Sequence, residues 1–282
     1  MRLSLVVMAY RQEAFIADTV AAAFAQDHPD LEIVLTDDCS PDDTFRIMSD
    51  MAAGYTGPHR IVLNRNPQNL GLIGHVNRLF DLATSDWLIY NAGDDISEPR
   101  RARIIAEAIA RDDPRYVYSN VTDMDASGVA LERQRQRTRP EALQQKSLPD
   151  LAKVISHALG ASSAWHRDLF DRFGPITETE IFEDRVLMFR ARLLGSVTWL
   201  EDRLLRYRRN IGLSFQTRDD RVRQLRLDLA TLRQRRADVL HLCPERRDIL
   251  KAIARKEEQR QRELEGVLAG QHTAGDAGED EA

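Results

Sequence analysis

The sequence predicts an α/β protein with a mostly parallel sheet flanked by helices and a helical appendage at its C-terminus. Three observations predict it. Short apolar runs alternate with stretches of helical periodicity up to about residue 216. Several of those runs end in polar or acidic clusters, at Tyr10 to Glu13, at Asp37-Asp38 and at Asp94-Asp95. From residue 217 the composition turns to Arg, Gln, Glu and Leu. Alternation of this kind implies βαβ units, and open sheets of that type bind ligands beyond the carboxyl ends of their strands. The three polar clusters are therefore expected on one rim.

Taken in order, Leu3 to Met8 is an apolar run broken only by Ser4, as in a parallel strand buried on both faces. Ile16, Val20 and Phe24 recur at four-residue spacing and predict a helix. Leu31 to Thr36 is a second strand. In Ser40-Pro41-Asp42-Asp43, Ser40 is expected to cap a helix, Pro41 suits the first helical position, and the acids suit the positive end of its dipole. Phe45, Met48, Met51 and Ala52 give that helix its apolar face. Arg60 to Asn64 is a third strand, Asn66 to Gly71 a loop, and Val76, Leu79, Phe80 and Ala83 mark the next helix. A fourth strand begins near Asp86 and runs through Gly93 into Asp94-Asp95. Ile104, Ile105, Ala108 and Ile109 form a helix face, and Tyr116 to Tyr118 a further strand.

Beyond Ser127 the pattern weakens. Arg133 to Arg139 is basic and polar and reads first as a solvated loop, second as a lid facing an anionic partner. Leu148 to Ala158 is expected helical, Ala161 to Trp165 extended, and Asp168 to Phe173 a short helix stopped by Gly174-Pro175. Glu183, Asp184 and Arg185 open a helix continued by Val186, Leu187, Phe189 and Leu193. Val197 to Leu200 is a late strand, and Arg206 to Asn210 reads as an edge strand with exposed cations. Val222, Leu225, Leu229 and Leu232 form a helical stripe, and Pro244 divides the segment into two helices. The expected organisation is a sheet domain over 1–216, a helical appendage over 217–266 and a disordered acidic tail over 267–282, whose residues from 271 onward lack bulky apolar side chains.

Composition narrows the function classes. The net charge of −5 argues against a nucleic-acid surface, which would be basic. No run reaches the ~18 apolar residues of a membrane span, and the first residues pass straight into a strand pattern, so a cytoplasmic protein is expected. The two cysteines, Cys39 and Cys243, lie far apart and suit a reducing compartment. There is no Walker phosphate loop, no Gly-x-Gly-x-x-Gly after the first strand and no Cys/His cluster with zinc spacing. His75, His157 and His166 are isolated and read as structural or surface residues. Cys39 follows an acidic pair, which disfavours a thiolate.

The acidic pair Asp94-Asp95 carries the chemistry. Two ionised carboxylates side by side repel, so a strand end gains little from them unless a divalent cation offsets the charge. Hard oxygen ligands suit Mg²⁺ or Mn²⁺, which keep waters and bridge to substrate phosphates. Gly93 lets the chain turn sharply before the pair. The bland alternative is a solvated acidic turn before a helix.

The chain resembles the family 2 glycosyltransferases, which have the GT-A nucleotide-sugar-binding fold. The resemblance covers roughly residues 1 to 215. It rests on Val6 to Tyr10, Asp37 to Thr44, Asn69-Leu70-Gly71, Gly93-Asp94-Asp95 and Glu183-Asp184, in this order and on the expected elements. It implies that Ala9 and Tyr10 wall a nucleobase pocket and that Asp38 hydrogen-bonds a pyrimidine. Asp94 is implied to meet the ribose and the metal shell, and Asp95 to ligate Mn²⁺ or Mg²⁺ at the diphosphate. Asp184 is implied to act as the general base of an inverting direct displacement. Glu13, in the polar cluster after the first strand, is placed with the nucleotide-binding residues.

Where family members often carry a His near the metal, this chain has Asn210, so the nearby arginines are candidate diphosphate ligands instead. The Gln-x-x-Arg-Trp motif of processive synthases is absent, which implies an enzyme adding one sugar at a time. Expected partners are a UDP- or dTDP-sugar donor and a glycan, lipid-linked or protein acceptor. A second copy of the chain, met through the C-terminal helices, is a further candidate. A nucleotidyltransferase and a non-catalytic nucleotide-sugar-binding scaffold are the alternatives. The first wants a basic Gly-rich loop where Ala9 to Glu13 stands.

Overall fold

The protein is described here by a computed structural model, which covers residues 1–132, 145–154, 159–211 and 220–276. The basic stretch at 133–139 and His157 lie outside the described residues.

Eight strands form one sheet: β1 (Leu3–Ala9), β2 (Leu31–Asp37), β3 (Arg60–Arg65), β4 (Trp87–Ala92), β5 (Ile96–Ser97), β6 (Tyr116–Met124), β7 (Ser163–His166) and β8 (Val197–Arg208). Their order is β3-β2-β1-β4-β7-β6-β8-β5. β3, β2, β1 and β4 are mutually parallel, while β7 runs antiparallel to both β4 and β6. The register sets Ala9 opposite Asp37 and Met8 opposite Ala92, so the carboxyl ends of β1, β2 and β4 come out on one rim.

The helices are α1 (Ile16–Phe24), α2 (Thr44–Ala53), α3 (Gly71–Leu82), α4 (Arg101–Asp112), α5 (Leu148–Ala152), α6 (Asp168–Asp171), α7 (Glu183–Leu194), α8 (Arg221–Leu242) and α9 (Arg247–Asp276), with a single 3₁₀ turn at Gly160–Ser162. Side chains alternate across each strand, and the alternation divides the core in two. Leu5, Val7, Ile33, Leu35 and Ile89 face α1, α2 and α4. Val6, Val34, Leu88 and Tyr90 face the other side, where α3 and α7 pack.

Several elements differ from the sequence reading. Ser40 does not cap α2: its hydroxyl and N–H both donate to the buried Asp37 carboxylate, and the helix begins only at Thr44. β6 runs on to Met124, and Val197–Arg208 is one long strand beside it, with register shifts around Asn120. The expected edge strand of exposed cations is therefore the end of β8. It is covered by β5, whose Ile96 and Ser97 pair with Arg206 and Leu205, and Arg208 is buried.

Helices α8 and α9 pack back on the core, against α7 and α5. Ala230, Leu232 and Val239 of α8, with Ile249 and Ile253 of α9, belong to the same buried cluster as Val6 and Tyr90. Charge also ties α8 to α7: Arg190 and Asp238, both buried, make a bidentate pair at 2.9 and 2.8 Å. The α9 helix continues to Asp276, past the point where a tail is expected. No helix among the described residues is long and apolar enough to cross a membrane.

Candidate active site

At the carboxyl rim of β1, β2 and β4 lies a cavity of about 610 Å³. Ala9, Tyr10, Asp38, Asp94, Asp95 and Asp184 all line it. Its walls thus come from the ends of three parallel strands and from the start of α7.

Asp38 faces the cavity from the end of β2. Its Oδ1 accepts from Asn66 Nδ2 at 2.8 Å and from the Leu70 N–H at 2.9 Å, and its Oδ2 accepts from the Gly71 N–H at 3.0 Å. The carboxylate therefore fixes the Asn69-Leu70-Gly71 turn, where Gly71 has a φ of 71° that a side chain would disfavour. Asp37, its neighbour, is turned into the sheet and serves Ser40. His75 of α3 also lines the cavity, with Nε2 2.8 Å from Thr36 Oγ1. Burial lowers its pKa to about 4, so the ring is neutral at ordinary pH. The sequence reading left His75 as a structural or surface residue. Only the packing of α3 against the end of β2, where it meets Thr36, brings it to the site.

Asp94 and Asp95 occupy the turn between β4 and β5, and both are buried. Gly93 lets the chain pass close there: a Cβ would displace the Gln12 amide and stand 3.0 Å from Ala9 Cβ. Asp95 Oδ1 accepts from the Arg208 N–H at 2.8 Å, while Oδ2 is buried and has no hydrogen-bond partner. Burial and then the adjacent Asp94 raise the Asp95 carboxyl well above the usual carboxylate range. A buried carboxylate oxygen without a donor, beside a second acid, fits a hard divalent cation. Among the described residues no three His, Cys, Asp or Glu side chains converge on one point. A cation here would thus complete its shell with substrate oxygens and water.

Neither Arg208 nor Arg209, the candidate diphosphate ligands, lines the cavity. Arg208 donates through Nε to the Asp94 carbonyl at 2.9 Å and through Nη1 to the Ala126 carbonyl at 2.6 Å, and it stacks on Phe15. Arg209 pairs with Asp123 at 3.5 Å. Arg208 thus frames the acidic turn, and Arg209 ties the end of β8 to β6. Beneath the turn, Arg101 is fully buried and donates to the carbonyls of Tyr90 and Ala161 at 2.8 Å each. Burial lowers its pKa to about 9, and Asp95 opposes that change. Nothing in the sequence around Arg101 separates it from a solvated helix face.

Glu13 is placed away from the cavity lining. It is exposed, and its Oε2 accepts from the Asp43 N–H at 3.0 Å at the start of α2. It lies in the turn between β1 and α1 and ties that turn to the start of α2.

On the far wall, Glu183 and Asp184 form the first turn of α7; Glu183 is buried and Asp184 half-buried. Gly160, in the 3₁₀ turn, packs directly on them: a Cβ there would overlap Glu183 Oε1 and lie 3.4 Å from Asp184 Cβ. Asp184 Oδ1 has no hydrogen-bond partner. A helix start favours an ionised acid, but burial outweighs it and raises the Asp184 carboxyl. Arg185, the Arg185 and Gly160 N–H groups, and Arg235 pull it down. Glu183 is pushed up to about 8 by burial and by Asp184. Gln224, from the first turn of α8, lines the same cavity, so the segment after 216 contributes to the site.

Comparison with known proteins agrees with this architecture. Residues 4–174 match the profile of glycosyl transferase family 2. EpsE of Bacillus subtilis (strain 168), a protein named as a glycosyltransferase, is 34% identical over 100 residues, which is 36% of this chain and 35% of EpsE. The protein alr2836 of Nostoc sp., named as an uncharacterized glycosyltransferase, is 23% identical over 217 residues, 74% of this chain and 65% of its own. The matches span about a third and just under two thirds of these relatives.

Among solved structures, residues 1–349 of S. aureus TarS, in complex with UDP-GlcNAc, superpose with a TM-score of 0.67 at 16% identity, covering 91% of this chain and 72% of that one. The mannosyltransferase PcManGT of Pyrobaculum calidifontis, in complex with GDP-Man and Mn²⁺, superposes with a TM-score of 0.62 at 18% identity, covering 98% and 75%. At such identities the likeness is one of fold.

Proposed function

The chain belongs to glycosyl transferase family 2, and on that premise we propose that it moves one sugar from a nucleotide-diphosphate sugar to an acceptor hydroxyl, with inversion at the anomeric carbon. One observation carries the reading. Two acids from distant segments, Asp95 and Asp184, line one cavity, and each has a buried oxygen without a hydrogen-bond partner. Two such oxygens are costly in a folded protein unless ligands complete them.

In this reading Tyr10 and Ala9 wall the base, and Asp38 holds the Asn69-Leu70-Gly71 turn against it and accepts a hydrogen bond from a pyrimidine, which favours UDP or dTDP. Asp94 and Asp95 would hold Mn²⁺ or Mg²⁺, which offsets the charge that the diphosphate gains on leaving. Asp184 takes the acceptor proton. The acceptor oxygen then forms its bond to the anomeric carbon as the bond from that carbon to the diphosphate breaks. A base must be ionised before it accepts a proton, and Arg185 and Arg235 favour that form at a buried position. The acceptor is a glycan, a lipid-linked sugar or a protein. TarS and PcManGT, with UDP-GlcNAc and with GDP-Man and Mn²⁺ bound, support a nucleotide-sugar donor and a divalent metal.

The test is a donor-hydrolysis screen over UDP-, dTDP- and GDP-sugars with Mn²⁺ and with Mg²⁺. Cation-dependent release of a nucleoside diphosphate from at least one donor is expected. No release from any donor would count against the reading.

A further inference from the structure

The first turn of α7 is held from behind by α8. Arg235 is fully buried. Its Nε and Nη2 both donate to the Arg185 carbonyl, at 3.0 and 2.6 Å, and its Nη1 donates to the carbonyls of Ala152 and Val154 at 3.1 and 2.7 Å. A buried guanidinium is expensive, and burial lowers its own pKa to about 9. Carbonyls alone could be served by a neutral amide. The charge adds a positive field beside the acids of α7.

We infer that Arg235 is a positioning residue for the base: it fixes the Asp184 turn from outside the sheet and supplies positive charge facing that carboxylate. This rests on the reading of Asp184 as the base. The groups that face Asp184 are Glu183 and Arg185 on its own helix, Tyr90 from β4, Tyr116 from β6 and Arg235 from α8. Asp228 of α8 acts through Arg185, with which it pairs at 3.2 Å. Arg185 shares its charge with Asp228, and Arg235 shares its own among Asp184, Asp238 and Asp228, with Asp184 foremost. Removing the Arg235 charge therefore leaves Asp184 harder to ionise.

The experiment is a pH profile of kcat/KM for transfer, run on the parent, Arg235→Met, Arg235→Lys and Asp184→Asn, with UDP and Mn²⁺ affinity measured by calorimetry. Arg235→Met is expected to move the acid limb upward by about one pH unit, with donor affinity unchanged. Arg235→Lys keeps the charge but loses the two-pronged grip on the Arg185 carbonyl. It should keep the acid limb in place and lose kcat by about tenfold. A purely structural Arg235 would lower stability and leave the acid limb of the folded fraction where it was, and that result overturns the inference. If Arg235→Met does not fold, Arg235→Lys decides: parental kcat in it overturns the inference. If Asp184→Asn keeps parental transfer, the base reading itself fails and this inference falls with it. An inactive Asp184→Asn beside an unmoved Arg235→Met profile overturns the inference alone.

Discussion

The main-chain N–H of Arg208 donates to Asp95 Oδ1 at 2.8 Å, across 113 residues of chain. Arg208 also holds the Asp94 carbonyl through its Nε at 2.9 Å. The acidic turn is therefore gripped by the end of β8, which leaves Asp95 Oδ2 as the oxygen with no partner. This arrangement, and the clustering of acids around it, yields the expectations that follow.

Asp95→Asn is expected to abolish the dependence of UDP or dTDP affinity on Mn²⁺. Asn keeps an oxygen for the Arg208 N–H but offers no charge to a cation. In metal-free buffer the same variant should melt above the parent, because it removes one of two adjacent buried acids. Calorimetry with Mn²⁺ and with EDTA, and a thermal scan, check both. Equal parental affinity in EDTA would sink the metal role.

Asp184→Asn should retain donor affinity, since the donor wall comes from β1, β2 and β4. Transfer should fall by about 10²–10⁴ in kcat, the scale of a lost general base. If the residue only caps α7, Asn would cap about as well and turnover would hardly change. A folded, donor-binding variant with near-parental turnover would move the assignment to Glu183.

Glu183 carries a pH signature. Its carboxyl rises from an ordinary 4.5 to about 8 in the folded protein, through burial and then Asp184. Between those values the folded chain holds a proton that the unfolded chain has released. The stability linked to this group is therefore full below the lower value and is lost as pH rises through the upper one. Glu183→Gln removes that titration. The parent's melting temperature should fall more steeply than the variant's between about pH 5.5 and 8.5. Parallel curves would show that Glu183 does not hold the proton.

Asp38→Asn replaces a carboxylate that accepts three hydrogen bonds with an amide that presents N–H to one of those donors. A loss of about 1–3 kcal/mol in stability is expected, together with weaker binding of any uridine or thymidine diphosphate. Denaturant unfolding and calorimetry measure the two. Unchanged nucleotide affinity would remove Asp38 from the base pocket.

A chain ended near Phe215 lacks Ala230, Leu232, Val239, Ile249 and Ile253, all part of the main buried cluster. It should lose cooperative unfolding and aggregate, because the face of α7 they cover is apolar and Arg190 loses its buried partner Asp238. A soluble, cooperatively folded truncation would show that the helices are separable from the sheet.

The strands and the acids at their ends were legible in the sequence because both signals are local. Apolar runs such as Leu5 to Met8 and Ile33 to Leu35 admit little else, and Asp94-Asp95 closes the stretch that follows another, Trp87 to Tyr90. What escaped reading is what tertiary contact decides. β5 has two residues and no pattern of its own. Glu201, Asp202 and Arg203 hide the continuity of β8. Arg101, Arg190 and Arg235 are among the largest fully buried side chains, yet an arginine within a helical segment reads as a solvated face. Glu13 differs the other way: its place in the polar cluster suggests a ligand contact, but its carboxylate accepts from the Asp43 N–H just before α2.

The grip of Arg208 on Asp95 also sets an order of events as the chain is made. Residues up to 97 contain β1, β2, β4 and both acids of the turn, but the strand that closes on them comes last of the eight. Pairings so far apart in sequence form late, because a long loop must close before they yield anything. During synthesis, which proceeds from the N-terminus, the half-made sheet carries its acidic turn unlatched. A nascent chain released before β8 emerges has the acids of the site without the lock that holds them.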